Sequence, residues 1–175
     1  MRNIALLLLM IACITNGTNC QNTAKKKKQT FEFNDLTFYS SACNGTCPEI
    51  SMNITGFRQM QIMRRIYKKK GEVDTIFSGG FKGKLSESDF NKIVEELSKI
   101  NWDTLTFPDV QCCDAPVVTI LIRYNNKGKN FESMTPPPST NKLIAYLVDF
   151  SLNVSLPRYN RPMDFEVAEP PPPNQ

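Results

Sequence analysis

The residues best equipped for chemistry are the thiols of Cys43-Asn44-Gly45-Thr46-Cys47-Pro48, two cysteines with three residues between them. Asn-Gly favours the left-handed backbone of tight turns, and a turn here can bring the cysteines to the Cα separation of about 4.4–6.8 Å that a disulfide needs. In an oxidising compartment the product is a structural bond, worth ~2 kcal/mol for so short a loop. Cys112 and Cys113 offer another pairing. A bond from the loop to one of them closes a much longer loop, for ~4 kcal/mol, and neighbours on a strand face opposite sides, so only one could easily reach it. Thiol redox chemistry competes with these structural uses, at a spacing one residue longer than Cys-x-x-Cys.

The chain contains no histidine. That removes Ser-His and Cys-His pairs, His-ligated zinc, and the one side chain whose unperturbed titration lies near neutrality. Catalysis would rest on carboxylates, lysines or thiols. Ser139-Thr140-Asn141-Lys142 fits Ser-x-x-Lys at a helix start, but the Lys-Thr-Gly of penicillin-recognising enzymes is missing. Ser139 or Thr140 reads instead as a helix cap. The Cys-x-x-x-Cys-Pro spacing resembles that of copper-delivery proteins of the Sco type, in which a distant histidine completes the metal site. Here Met52, Met60 or Met63 would have to serve as the remaining soft ligands. Arg64, Arg65, Lys68, Lys69 and Lys70 make a basic run. It reads as a solvated strand end, or as a dock for an anionic glycan or lipid headgroup.

The elements that must position these groups follow from periodicity. Phe31, Phe33, Leu36 and Phe38 mark a first strand with a break at Asn34-Asp35, and Glu49–Thr55 alternates strictly, with Ile50, Met52 and Ile54 on one face. Met60, Ile62 and Ile66 continue the pattern after a turn at Gly56, and a fourth strand is expected from Val73 to Phe81, interrupted at Gly79-Gly80. Phe90, Ile93, Val94, Leu97 and Ile100 form one stripe of a helix capped by Ser86, with Asp89 three residues on and a Glu95–Lys99 pair on its outer side. Val117–Tyr124 is a β-branched central strand, Asn125–Gly128 a turn, and Lys129–Met134 its partner. After Pro136–Pro138 a second helix is expected, with Leu143, Leu147, Phe150 and Val154 inward.

The ends have a different character. Met1-Arg2-Asn3 and an apolar run from Ile4 to Ala12 predict an export signal over residues 1–14, too short for a membrane span of ~20 apolar residues. Cys13, after Met10-Ile11-Ala12, and Cys20 are the two candidates for lipidation. Residues 15–29 are a polar tether ending in Lys25–Lys28, residues 30–157 the single folded domain, and residues 158–175 a proline-rich tail with Pro170–Pro173. A net charge of +4 is too mild for a nucleic-acid binder.

Three stretches carry a family resemblance: Cys43-Asn44-Gly45-Thr46-Cys47-Pro48 after an opening strand, Gly80-Phe81-Lys82-Gly83-Lys84-Leu85-Ser86 leading into a helix, and Asp114-Ala115-Pro116 before the Val117 strand. Across most of residues 30–157 the chain resembles the bacterial family called domain of unknown function 6438. In that motif Gly45, Pro48 and Asp114 are the marked positions beside the cysteines. The resemblance implies an envelope or lipoprotein setting and no established activity. The basic hairpin between Gly56 and Val73 and the Cys112-Cys113 pair depart from the pattern.

Together these readings predict an α+β domain in the order ββββαββα, with an antiparallel sheet of five to six strands and both helices on one face. The expected role is a non-catalytic binding or structural module with a disulfide-braced hairpin, in the periplasm or as a membrane-anchored lipoprotein. The alternative is a copper or thiol-redox protein using the Cys43–Cys47 loop. No cofactor and no nucleic acid are expected. The partner would be an envelope protein or an anionic glycan or lipid, with the membrane reached through a lipid anchor.

Overall fold

Alternation over Glu49–Thr55 sends Ile50, Met52 and Ile54 to one side of a strand. In the computed structural model, which describes residues 31–110 and 114–165, all three are buried. The strands are β1 (Phe33–Ser40), β2 (Glu49–Thr55), β3 (Gln59–Arg65), β4 (Tyr67–Lys69), β5 (Glu72–Val73), β6 (Gly79–Lys84), β7 (Val118–Tyr124) and β8 (Lys127–Ser133). Helix α1 (Glu87–Ser98) stands between β6 and β7, and α2 (Asn141–Asn153) follows a single 3-10 turn at Pro138–Thr140. Six strands form one antiparallel sheet in the order β6-β3-β2-β1-β7-β8, while β4 and β5 make a separate two-stranded ribbon. The sheet and two helices are the α+β architecture that the periodicities predict.

Register explains the core. One row of directly paired residues, Phe81–Ile62–Met52–Phe38–Ile120–Phe131, crosses all six strands on the helix side. The four inner members are fully buried and the two outer ones are 8 % exposed. A slip of one residue in any strand would turn its part of this row to the other face, so the apolar pattern itself enforces the pairing. Ile93 and Leu97 of α1 and Leu143 and Leu147 of α2 complete the layer. Trp102 closes one end, its indole N–H donating to the Leu97 carbonyl at 2.9 Å and its ring against Phe131.

Local signals set the element boundaries. Ser86 caps α1, its Oγ accepting from the Asp89 amide at 3.0 Å while its hydroxyl donates to the Asp89 carboxylate at 2.7 Å. Lys99 pairs with Glu95 as the spacing predicts, and also with Glu96. The break at Asn34-Asp35 is a register shift in the pairing of β1 with β7. In α2 the buried line runs Leu143, Leu147, Ser151, and Phe150 is half-buried beside Tyr146.

The fourth strand differs from the expectation. It begins at Gly79, where the sequence predicts a break, and residues 74–78 before it are not strand. Val73 pairs with Tyr67 in the ribbon, and residues 74–78 turn because the Asp74 carboxylate accepts from the Ile76 and Phe77 amides. The Ser78 amide then bonds back to the Asp74 carbonyl at 2.9 Å.

The chain also stays on the sheet after residue 157. Edge strand β6 has outward backbone groups to satisfy, and the Lys82 amide donates to the Pro157 carbonyl while the Tyr159 amide donates to the Gly80 carbonyl. The segment then crosses the second face of the sheet. Asp164 accepts from the Gln61 side chain at 2.7 Å, and Phe165 sets its ring edgewise against Tyr39. Gly80 makes room for it: a Cβ there would lie 2.6 Å from both the Met163 methyl and the Tyr159 carbonyl oxygen. The folded part therefore runs to at least Phe165, beyond the boundary at 157. Cys13, Cys20, the residue 15–29 tether, Cys112, Cys113 and Pro170–Pro173 lie outside the described residues.

Candidate functional site

The Cys43–Cys47 loop joins β1 to β2. Asn44 and Gly45 both adopt positive φ, 37° and 76°, and the Thr46 amide closes the turn on the Cys43 carbonyl at 2.9 Å. The cysteine Cα atoms stand 5.0 Å apart with their sulfurs at bonding distance, and Pro48 leads the chain into β2. Of the pairings open in the sequence, the structure shows the short one. On one side the loop is tied to the start of β7, where Ser41 and Val117 exchange two hydrogen bonds of 3.0 and 2.8 Å. Asp114 is exposed in the turn just before that strand.

On its other side the loop braces the ribbon. The Gly71 amide at the ribbon tip donates to the Gly45 carbonyl at 3.2 Å. A Cβ on residue 45 would come within 3.3 Å of that same nitrogen, and φ there already disfavours one, so two separate reasons select glycine.

Residues 66–78 leave the sheet between β3 and β6, and their base is closed by three bonds at Ile66. Its amide donates to Ser78 Oγ, and its carbonyl accepts from that hydroxyl and from the Asp74 amide. Beside the base, Glu49 accepts from the Tyr67 hydroxyl and pairs with Arg65 at 3.1 Å. Hydrogen bonding with Tyr67 first, and the Glu49 charge second, raise the Arg65 pKa. Glu49, Ser51, Met63, Arg65, Val73 and Gly79 line a pocket of about 290 Å3 here.

The basic run divides. Arg65, Lys68, Lys69 and Lys70 are exposed, and Lys69 pairs with Glu72 at 3.0 Å. Arg64 is buried, only 8 % exposed, because it sits on the helix side of β3 opposite Gly79. Its Nε donates to the Phe77 carbonyl, and its Nη1 reaches the Ser151 and Leu152 carbonyls at the end of α2. Burial first, and the charge of Arg158 second, lower its pKa. A cation at this position also suits the negative end of the α2 dipole.

Arg158 works from the β6 edge. It donates to the Ser78 carbonyl at 3.1 Å and to the Thr75 and Ile76 carbonyls at 3.4 and 2.5 Å. With Arg64 on Phe77, four successive carbonyls of the 74–78 turn are taken by two guanidinium groups. Their counterparts, the Ile76 and Phe77 side chains, point out and are 68 % and 56 % exposed. The expected strand hid this turn in the sequence. Asp74, Ser78, Gly79 and Gly80 were the signals that could have revealed it.

The methionines do not gather at the thiol loop. Met52 and Met60 are buried in the core layer, and Met63 lies on the opposite face of the sheet, 41 % exposed. Among the described residues no three His, Cys, Asp or Glu side chains converge as a metal site. A larger groove of about 650 Å3 lies elsewhere, between the start of α1 and the end of α2. Lys84 and Lys92 line it opposite Asp89 and Asp149, so its charges balance.

A single antiparallel sheet, two helices on one side, and one end built from a pinched loop, a ribbon and an arginine-held turn define a small α+β domain. A family model described as Domain of unknown function (DUF6438) matches residues 34–150, about two thirds of the chain, and the chain belongs to that family. No curated protein and no solved structure matches it.

Proposed function

We propose that this domain is a non-catalytic binding module of an exported protein, and that the ribbon end is the surface with which it binds. One observation carries the reading: Ile76 and Phe77 are exposed on a turn whose carbonyls are held by Arg64 and Arg158. A single exposed apolar side chain needs no explanation. Two neighbours held outward by a buried arginine are different, because a pre-ordered anchor loses less conformational entropy on binding. The thiol loop supports the same reading, since its Gly45 carbonyl steadies the ribbon beside the turn. The export expected from Arg2 and the apolar run at 4–12 agrees with two cysteines at bonding distance, a pairing that persists in oxidising compartments.

Photo-crosslinking in the producing cell tests the proposal, with the reactive side chain placed at position 77 or, as a control, at position 57. Phe57 is 85 % exposed but sits in the β2–β3 turn at the other end of the sheet. Adducts from 77 that are absent from 57, and that disappear with Ile76→Ser, are expected. Equal labelling from both positions would defeat the reading. Peptide mapping without reductant should find Cys43 and Cys47 joined, and two free thiols on exported protein would remove its redox premise.

A further inference from the structure

Resting on the ribbon end as the binding surface, we infer that its partner is an anionic lipid bilayer, with Ile76 and Phe77 entering the headgroup boundary and the ribbon lysines meeting lipid phosphates. The composition of the surface decides between a bilayer and a protein. Every residue from Lys68 to Val73 is exposed, as are Thr75, Ile76 and Phe77. Residues 65–78 contain four basic and two acidic side chains. Lysine is depleted from protein–protein interfaces, where its solvation and mobility are lost. Beside an anionic membrane it keeps its hydration and still gains, by about fivefold in binding per residue.

The acidic residues leave that positive surface largely intact. Glu72 is paired with Lys69, and the Asp74 carboxylate is turned toward the Ile76 and Phe77 amides. Glu49 is occupied by Arg65 and Tyr67. Among the described residues Lys68 and Lys70 have no carboxylate partner, and they lie along the first arm of the ribbon up to its tip. An apolar pair on a turn next to a lysine-bearing ribbon suits an interfacial anchor: the hydrocarbon enters the boundary layer and the ammonium groups stay at phosphate level.

The chain enters β1 at the end opposite the thiol loop, and an eight-residue strand spans roughly 26 Å. A reporter at position 77 therefore reads the thiol-loop end of the sheet.

The experiment uses the full chain with Phe77→Trp. Trp102 is the only native tryptophan and is 2 % exposed, so its emission is an internal control for folding. The probes are vesicles with brominated acyl chains, made of phosphatidylcholine alone or with about one third phosphatidylglycerol. Emission from position 77 should shift to the blue and be quenched by the anionic vesicles, with little response to the neutral ones. Raising salt should reverse it, and Lys68→Gln and Lys70→Gln should each weaken it about fivefold. Absence of quenching, or equal quenching by both vesicle types, overturns the lipid assignment. If position 77 still crosslinks to a protein while remaining unquenched, the lipid inference falls and the binding surface stands. Loss of both signals removes both.

Discussion

Arg64 and Arg158 share one aromatic ring: their guanidinium carbons lie 4.4 and 5.2 Å from the centroid of Phe81. One arrives from the interior of β3 and the other from the segment along the β6 edge, and between them they hold the turn from Thr75 to Ser78. Two like charges this close repel. The ring face, the carbonyls and the end of α2 offset that repulsion.

The two arginines should differ in what they support. Arg64→Met leaves the Phe77, Ser151 and Leu152 carbonyls short of a donor and should cost about 3 kcal/mol, read as a lower urea midpoint. Arg158 is exposed, so Arg158→Ala should cost about 1 kcal/mol globally. Its effect should show locally, as faster proteolysis between Thr75 and Ser78 with the sheet intact.

Reduction of the thiol loop should remove about 2 kcal/mol, because the bond closes only a short loop. Gly45→Ala should cost about 1–2 kcal/mol through its positive φ and its contact with Gly71. In both cases hydrogen exchange at the Gly71 amide should accelerate before exchange in β2 does. Unchanged protection at Gly71 would mean that the loop does not brace the ribbon.

Gly80→Ala should detach the segment that crosses the second face. The Met163 methyl can swing away from a new Cβ, but the Tyr159 carbonyl oxygen is backbone, and the amide of the same residue is bonded to the Gly80 carbonyl. Trypsin should then cut after Arg158, which Tyr159 follows, much faster than in the parent, with far-ultraviolet dichroism unchanged. Equal cleavage rates would show that the approach is relieved without lifting the segment.

Alkaline stability should report Tyr124. Its pKa is pushed from 10.0 up to about 12, first by burial and then by the hydrogen bond to Asp103. The unfolded chain ionises its tyrosine near 10 while the folded chain keeps the proton, so this contribution is complete below pH 10 and fades as pH rises to about 12. Tyr124→Phe should remove that fall in urea midpoint, and phenolate absorbance should show one late-titrating tyrosine fewer than in the parent, where burial also raises Tyr146.

Much of the fold was legible because its signals are local. Alternation in Glu49–Thr55, the stripe from Phe90 to Ile100 and the β-branched run before Tyr124 each state a period, and a period needs only neighbours in sequence. Asn44-Gly45 between two cysteines likewise announced a tight turn before any partner was known. The stretch from Val73 to Phe81 was misleading for the opposite reason. Its apolar residues resemble a strand, and what makes them a turn is Asp74 bonding amides two and three residues ahead.

By itself the sequence determined the two periods, the turn chemistry of the thiol loop, the lack of an imidazole, and hence the α+β class and the family. Tertiary structure alone decided that Arg64 leaves the basic run for the interior, that Arg158 comes back to meet it, and that Met52 and Met60 go to the core while Met63 does not. The physical reason is range: propensity acts over a few residues, whereas the bond from Arg64 to Ser151 and that from Arg158 to Ser78 join positions 87 and 80 apart. Such contacts form only after the sheet has brought its edges and its helix together.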